Sequence, residues 1–120
     1  MKAGGFKNLL VWQQAIELTD LVYDLCRDLP KEELYGLGLQ LRRCAGSIPA
    51  NIAEGSGRGS KKEFIQFLRI AYGSLCELET HIIIAQRQKL ASCDWKALEQ
   101  QLSSVSRLLK LLIQSLKAPQ

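Results

Sequence analysis

Residues 41–55 read Leu41-Arg42-Arg43-Cys44-Ala45-Gly46-Ser47-Ile48-Pro49-Ala50-Asn51-Ile52-Ala53-Glu54-Gly55. Apolar residues recur every three or four positions in this stretch, which is typical of a helix with one buried face. Pro49 lies in the interior of that helix, where it removes an amide donor and crowds the carbonyl of Ala45. We therefore expect either a kink that fits the packing or a polar site beside the proline.

The same spacing of apolar residues continues through the rest of the chain and predicts further helices. Pro30 ends the first helix, because the residue before a proline leaves the α region. The glycines of residues 55–59 are expected to end the second. Ser60 and Glu63 form a capping box for the third, and Asp94 is expected to cap the fourth. The predicted helices span about residues 9–28, 34–54, 61–89 and 95–117.

Four amphipathic helices with short connections predict an all-α fold, an antiparallel up-down-up-down four-helix bundle whose second helix is kinked at Pro49. The length favours a single domain over residues 1–120, with 1–7 as a flexible lead and 118–120 as a tail. Some apolar residues of the third and fourth helices lie outside the main stripes, which indicates either subunit contacts or a wide core face. These residues are Ile83, Ile84, Leu108, Leu111 and Ile113.

Composition argues for a soluble protein. The longest uncharged apolar run is too short to span a bilayer, and residues 1–6 contain no apolar core of signal-peptide length, so we expect a cytoplasmic location. The cysteines are far apart in the sequence and the chain has one histidine, so the sequence does not predict a zinc-binding site. We expect buried free thiols at all four positions. These are Cys26, Cys44, Cys76 and Cys93.

The net charge of +4 is unevenly distributed. The first helix is acidic, whereas residues 42–69 carry six basic side chains against two acidic ones, an asymmetry that favours contact with a polyanion or a merely solvated face. No aromatic residue is expected among these basic side chains, so binding to RNA or DNA would involve mostly the backbone. The predicted nucleic-acid-binding residues are Arg42, Arg43, Arg58, Lys61, Lys62 and Arg69.

The sequence indicates no catalytic residue, no metal site and no cofactor. Glu77 and His81 are one helical turn apart, but they need Glu54 to complete a metal enzyme, which we regard as a minor alternative. Serine and threonine residues have no evident base partner for nucleophilic catalysis. We predict instead a structural polar network between the second and third helices. Its members are Ser47, Asn51, Glu54, Ser74 and Glu77.

Several motifs together resemble one family of bacterial proteins. They are Phe6-x-x-Leu9-x-Val11-Trp12-Gln13, Leu34-Tyr35-Gly36-Leu37, Ser47-Ile48-Pro49-Ala50-Asn51-Ile52-Ala53-Glu54-Gly55 and Gly73-Ser74-Leu75-x-Glu77-Leu78-Glu79-Thr80. With these motifs the chain resembles, over about residues 6–117, the bacterial four-helix-bundle family that is also called the 23S rRNA intervening-sequence protein family. Cys44 and Gly46 stand where alanine and other small residues are common in that family.

The resemblance implies an all-helical subunit that assembles into a homopentamer and has no assigned enzymatic activity. It also implies kinship to the accessory variability determinant of diversity-generating retroelements, a basic pentamer that works with a reverse transcriptase and nucleic acid. We therefore expect a non-enzymatic oligomer that binds RNA, DNA or a nucleoprotein through its basic surface. The alternative is a scaffold that binds a protein partner and has no role with nucleic acids.

Overall fold

The structure, a computed structural model, describes residues 5–119, so residues 1–4 of the predicted lead and residue 120 lie outside the described residues. It contains helices α1 (Leu10–Arg27), α2 (Leu37–Gly57), α3 (Lys61–Arg87) and α4 (Trp95–Lys117). Short 3-10 helices cover Gly5–Asn8 and Lys31–Glu33. No strand occurs within residues 5–119, which confirms the all-α prediction. Residues 5–7 of the predicted lead belong to the first 3-10 helix.

Each long helix packs against two others. α1 packs closely against α2 and α4, and α3 against the same two helices, whereas in the described part of the chain no Cα atom of α1 lies within 8 Å of α3, and none of α2 lies within 8 Å of α4. The apolar stripes meet in one core to which all four helices contribute, and the molecule is an elongated particle of 49 × 22 × 20 Å. Among residues 5–119, no helix combines the length and apolarity that a membrane span requires.

α2 continues as one helix through Pro49, which is buried. A proline leaves the carbonyl four residues earlier without its usual amide donor. In this protein that carbonyl belongs to Ala45, and the hydroxyl of Thr19 on α1 lies 3.3 Å from it and 2.8 Å from the carbonyl of Ala15. The neighbouring helix thus offers a donor at the position where the proline removes one. The predicted kink at Pro49 stays a prediction.

α2 ends at Gly57, three residues beyond the predicted end, because Gly55 is a contact point and not a helix breaker. Gly55 is buried against α3, and a Cβ atom placed there would lie 2.6 Å from Cβ of Phe67 and 3.1 Å from Cδ1 of Phe64. The backbone turns at Gly59, whose φ of +89° suits glycine. The glycines of this segment therefore have two distinct roles, close packing at Gly55 and the turn at Gly59.

The other helix boundaries are close to those predicted. α2 begins at Leu37 and not near residue 34, since the preceding residues form a 3-10 helix and turns. Asp94 caps α4 by accepting a bond of 3.0 Å from the amide of Ala97, as predicted. Ser60 accepts the amide of Glu63 at 3.1 Å, which confirms the serine half of the capping box.

Candidate functional site

Three of the five predicted network residues are joined by hydrogen bonds, one of which crosses from α2 to α3. The hydroxyl oxygens of Ser47 and Ser74 are 2.9 Å apart. The side-chain amide of Asn51 donates to the carbonyl of Ser47 at 2.8 Å and lies 2.9 Å from its hydroxyl oxygen. All three side chains are half-buried, so these bonds satisfy polar groups that packing partly removes from water. The bond between Ser47 and Ser74 links the proline-containing half of α2 to the middle of α3.

The two predicted carboxylates are both exposed. Glu54 is exposed and lies 3.8 Å from a guanidinium nitrogen of Arg58, so the structure does not place it in the network. Glu77 lines the same cavity as Ser47, and one of its oxygens is 3.6 Å from Nε2 of His81. The minor metal-enzyme hypothesis joined Glu54 to Glu77 and His81; among the described residues, the side chain that lies close to this pair is Cys44 and not Glu54.

Cys44 is the residue that the sequence analysis missed beside this network. It lines a cavity of about 260 Å³ between α2 and α3 and is only 5% exposed. Burial, followed by the nearby Glu77 carboxylate, raises the pKa of the Cys44 thiol to about 11. A helical signal was present, because Cys44, Ser47 and Asn51 are three and four residues apart and share one side of α2. The remaining cavity-lining residues are Gln40, Arg43 and Ser74.

The cysteines are free, as predicted, but they differ in burial. Cys44 is buried, whereas Cys26 and Cys93 are half-buried. Cys76 is exposed on α3, so the prediction of burial is wrong for that residue. Burial also raises the pKa values of Cys26 and Cys93 above the usual thiol range.

Two of the six predicted basic residues are engaged within the protein. A guanidinium nitrogen of Arg42 lies 3.3 Å from the carbonyl of Leu34, at the turn before α2. Arg58 donates to the Glu63 carboxylate at 2.9 Å, and its guanidinium lies 5.3 Å from the ring centroid of Phe67. These contacts make both arginines part of local structure.

The other four predicted basic residues are exposed. Arg43 lies on α2 at the edge of the Cys44 cavity. Lys61 and Lys62 occupy the first turn of α3, and Arg69 follows Lys62 by seven residues, which places these two on the same side of the helix. Of the predicted set, Lys62 and Arg69 are therefore best placed to act together.

Arg69 belongs to a basic groove between α3 and α4. The groove has a volume of about 390 Å³. Lys110 extends its ammonium group over the ring of Tyr72, 5.4 Å from the centroid. No carboxylate lines the groove among the described residues. The lining residues, which define the basic groove, are Arg69, Tyr72, Lys110, Ile113, Gln114 and Lys117.

Sequence reasoning missed Tyr72 and the two lysines of the basic groove, since α4 lies about 40 residues beyond Arg69 in the chain. The expectation that no aromatic residue accompanies the basic side chains is wrong at this groove. The acidic side chains of Asp20 and Asp24 line a separate depression on α1. α1 packs against α4, which supplies part of the basic groove, so the acidic depression lies on a helix next to that groove.

Comparisons with known proteins agree with the fold. A crystal structure of a protein of unknown function from the S23 ribosomal protein family of Bacteroides thetaiotaomicron VPI-5482 superposes with a TM-score of 0.75. The two sequences are 21% identical, and the match covers 88% of this chain and 96% of the other. No curated protein matches the sequence. Residues 7–111 match the 23S rRNA-intervening sequence proteins, and the chain therefore belongs to that family.

Proposed function

We propose that this protein is a non-enzymatic, self-associating, antiparallel four-helix bundle that binds the backbone of RNA or DNA through its basic groove. The antiparallel arrangement is supported by groove neighbours, since Arg69 near the start of α3 shares a groove with Lys117 at the end of α4. Further along, Glu79 shares a groove with Leu102. Residue numbers thus rise along α3 as they fall along α4.

The basic groove is the observation that carries the nucleic-acid part of the proposal. Three cationic side chains, Arg69, Lys110 and Lys117, converge on one groove without a carboxylate among its described lining residues. Lysine and arginine groups of this kind release counterions from a phosphate backbone. Tyr72 adds a ring on which an unpaired base can stack, a contact that does not depend on sequence.

Self-association is supported by large apolar side chains that remain exposed on α3 and α4. Ile70, Ile83, Ile84 and Leu111 are between 43% and 51% exposed. Exposed apolar area of this kind favours subunit contacts. A ring of subunits would repeat the basic groove, so that several weak contacts act on one polyanion. The family resemblance gives five as the expected number of subunits.

Binding can be tested with fluorescently labelled RNA and DNA oligonucleotides in a salt titration. If one groove neutralises about three phosphates, the logarithm of the binding constant falls with the logarithm of salt concentration with a slope of about −2 to −3. Replacing Arg69 and Lys110 together with glutamate should reduce the magnitude of this slope by about 2. No binding at low salt would refute the proposal.

Arg87→Glu is the matched control for the single variant Arg69→Glu, because it makes the same charge change near the other end of α3. Arg87 is 18 residues from Arg69, or about 27 Å along a helix. The control should leave the slope unchanged. Equal weakening by both variants would mean that diffuse charge attracts the polyanion, and the groove assignment would then be wrong.

A protein-interaction scaffold is the second candidate function, and the exposed isoleucines of α3 favour it. The mass of the particle in dilute solution, measured by light scattering, is expected to be a multiple of the 13.4 kDa subunit. Ile84→Glu, combined with a folding check by circular dichroism, should shift that mass toward the monomer. A wild-type monomer would contradict self-association. If the protein is a scaffold without a nucleic-acid role, it should still bind its protein partner when Arg69 and Lys110 are replaced with glutamate.

A further inference from the structure

Cys44, Glu77 and His81 form a cluster outside the basic groove. One potential ligand atom from each residue lies within 4.8 Å of the other two. Thiolate sulfur, imidazole nitrogen and carboxylate oxygen are the three kinds of ligand that bind Zn²⁺ in proteins. We propose that these residues form a binding site for a divalent transition metal of the zinc class, at the contact between α2 and α3.

The two helices place the ligands independently of any metal. Glu77 and His81 are four residues apart on α3, so both side chains leave the same side of that helix. One oxygen of Glu77 lies 3.6 Å from Nε2 of His81. Ligand atoms around a tetrahedral zinc are about 3–4 Å from one another, given bonds of about 2.0–2.3 Å. The separations of up to 4.8 Å would therefore have to shorten by about 1 Å to match these distances.

The backbone beneath the cluster is also fixed. Cys44 precedes Ser47 by three residues on α2, and Ser74 precedes Glu77 by three residues on α3. The bond of 2.9 Å between the two serine hydroxyl groups therefore joins the helices immediately beside the cluster. Such a cross-link holds ligands from different helices at a constant separation, which favours metal binding over independent motion.

An independent observation concerns His81. Its Nδ1 atom is fully buried and has no hydrogen-bond partner within residues 5–119. Buried polar atoms in proteins nearly always have a partner, and an exception calls for an explanation such as an ion. Nitrogen of a neutral imidazole is among the commonest metal ligands. A cation bound through Nδ1 would supply the missing partner, and Nε2 would then remain beside the Glu77 carboxylate.

The charges and the coordination chemistry also balance. On binding, the S–H bond of Cys44 is replaced by a sulfur–metal bond, and the proton leaves to solvent. The resulting thiolate and the Glu77 carboxylate neutralise a divalent cation, and His81 remains neutral. The sulfur and nitrogen ligands favour zinc or cobalt over magnesium or calcium, which prefer oxygen.

Three protein ligands leave one tetrahedral position free, as in zinc sites that bind an exchangeable molecule. The cavity of about 260 Å³ adjoins Cys44 and Glu77, so a water molecule or a small anion has room at that position. Arg43 lines the same cavity and carries the positive charge that would attract an anion.

Cobalt provides the test, because a thiolate–Co²⁺ bond gives a charge-transfer absorption that oxygen or nitrogen ligands do not. The full chain is treated with a chelator, dialysed and titrated with Co²⁺. We expect a charge-transfer band that saturates at one equivalent and disappears when Zn²⁺ is added. Cys44→Ala should abolish the band, and His81→Ala should weaken Co²⁺ binding at least about tenfold.

Cys76→Ala is the matched control, because Cys76 is an exposed thiol on α3 immediately before Glu77. The control should retain the band with unchanged intensity. Glu77→Gln is a further variant that should fold normally. The Glu77 side chain is 57% exposed, so its replacement should leave the core intact. A missing band in the wild type, a band that survives Cys44→Ala, or one that is lost with Cys76→Ala would each overturn the proposal.

Discussion

Replacing Gly55 with alanine tests whether the close packing of α2 against α3 depends on the missing side chain. The added Cβ atom would lie 2.6 Å from Cβ of Phe67, closer than atoms in van der Waals contact. Because Cβ moves with the backbone, rotation of the Phe67 ring does not relieve the clash, and one helix must shift. Overpacking of this kind costs about 1–3 kcal/mol, and the backbone contact places Gly55→Ala near the upper end.

Alanine also gains about 1 kcal/mol of helix propensity over glycine. The net effect of Gly55→Ala is therefore a destabilisation of about 2 kcal/mol, or roughly 8 °C in melting temperature for a chain of this size. Gly46→Ala is the matched control in the same helix, since nothing lies within 4 Å of its added Cβ. It should stabilise the protein by about 0.5–1 kcal/mol.

The measurement is urea unfolding followed by circular dichroism, at one fixed protein concentration because self-association shifts apparent stability. The two variants should differ from wild type in opposite directions. If Gly55→Ala and Gly46→Ala change the free energy of unfolding equally, the close approach at Gly55 does not limit the packing, and the reasoning fails.

Three further predictions concern α2 and its neighbours. Thr19→Val should cost about 1–2 kcal/mol in urea unfolding, but less in a Pro49→Ala background, where a backbone amide replaces the lost donor; equal costs in both backgrounds would contradict this account. Ser47→Ala should cost about 1–2 kcal/mol by removing the hydroxyl between two partners, whereas Glu54→Ala should stay within about 0.5 kcal/mol, and the reverse order of melting temperatures would be inconsistent with the network. The buried Cys44 thiol, with its pKa raised from 9.0 to about 11, keeps its proton when the unfolded chain has lost it, so stability should fall between pH 9 and pH 11. The free energy of unfolding, measured across that pH range, should decline less steeply for Cys44→Ala than for the wild type. Identical profiles would show that this thiol does not contribute to the pH dependence of stability.

The sequence predicted the helices well because their apolar spacing is nearly unbroken. The predicted limits of α4 agree with the structure, and those of α1 and α3 differ by one or two residues at most. The errors at both ends of α2 have a common origin. Local rules treat Gly55 as a breaker and residues 34–36 as helical, whereas the contact with Phe67 and the preceding 3-10 turns are set by tertiary packing.

The candidate sites were predicted less completely. Ser47 and Asn51 were recognisable because they occupy a polar row beside the apolar stripe of α2, and Ser74 because it is a small polar residue on the facing helix. Glu54 belongs to the same row, but the row turns outward before that residue, so its carboxylate is exposed. Lys110 could not be assigned to the basic groove, because pairing Arg69 with a particular turn of α4 requires the interhelical register. Spacing within one helix does not provide that register.

The hydroxyl of Thr19 beside Ala45 has a consequence for the order in which the chain folds. During synthesis α1 leaves the ribosome first, so the donor is already available when the proline-containing turn emerges. Until α1 and the proline-containing turn of α2 pack together, water hydrogen-bonds to the Ala45 carbonyl. When the Thr19 hydroxyl takes the place of that water, a polar contact as well as apolar packing fixes the alignment of the two helices. In a circular permutant that starts at α2, α1 would be synthesised last, and this turn would stay open to water until synthesis was complete.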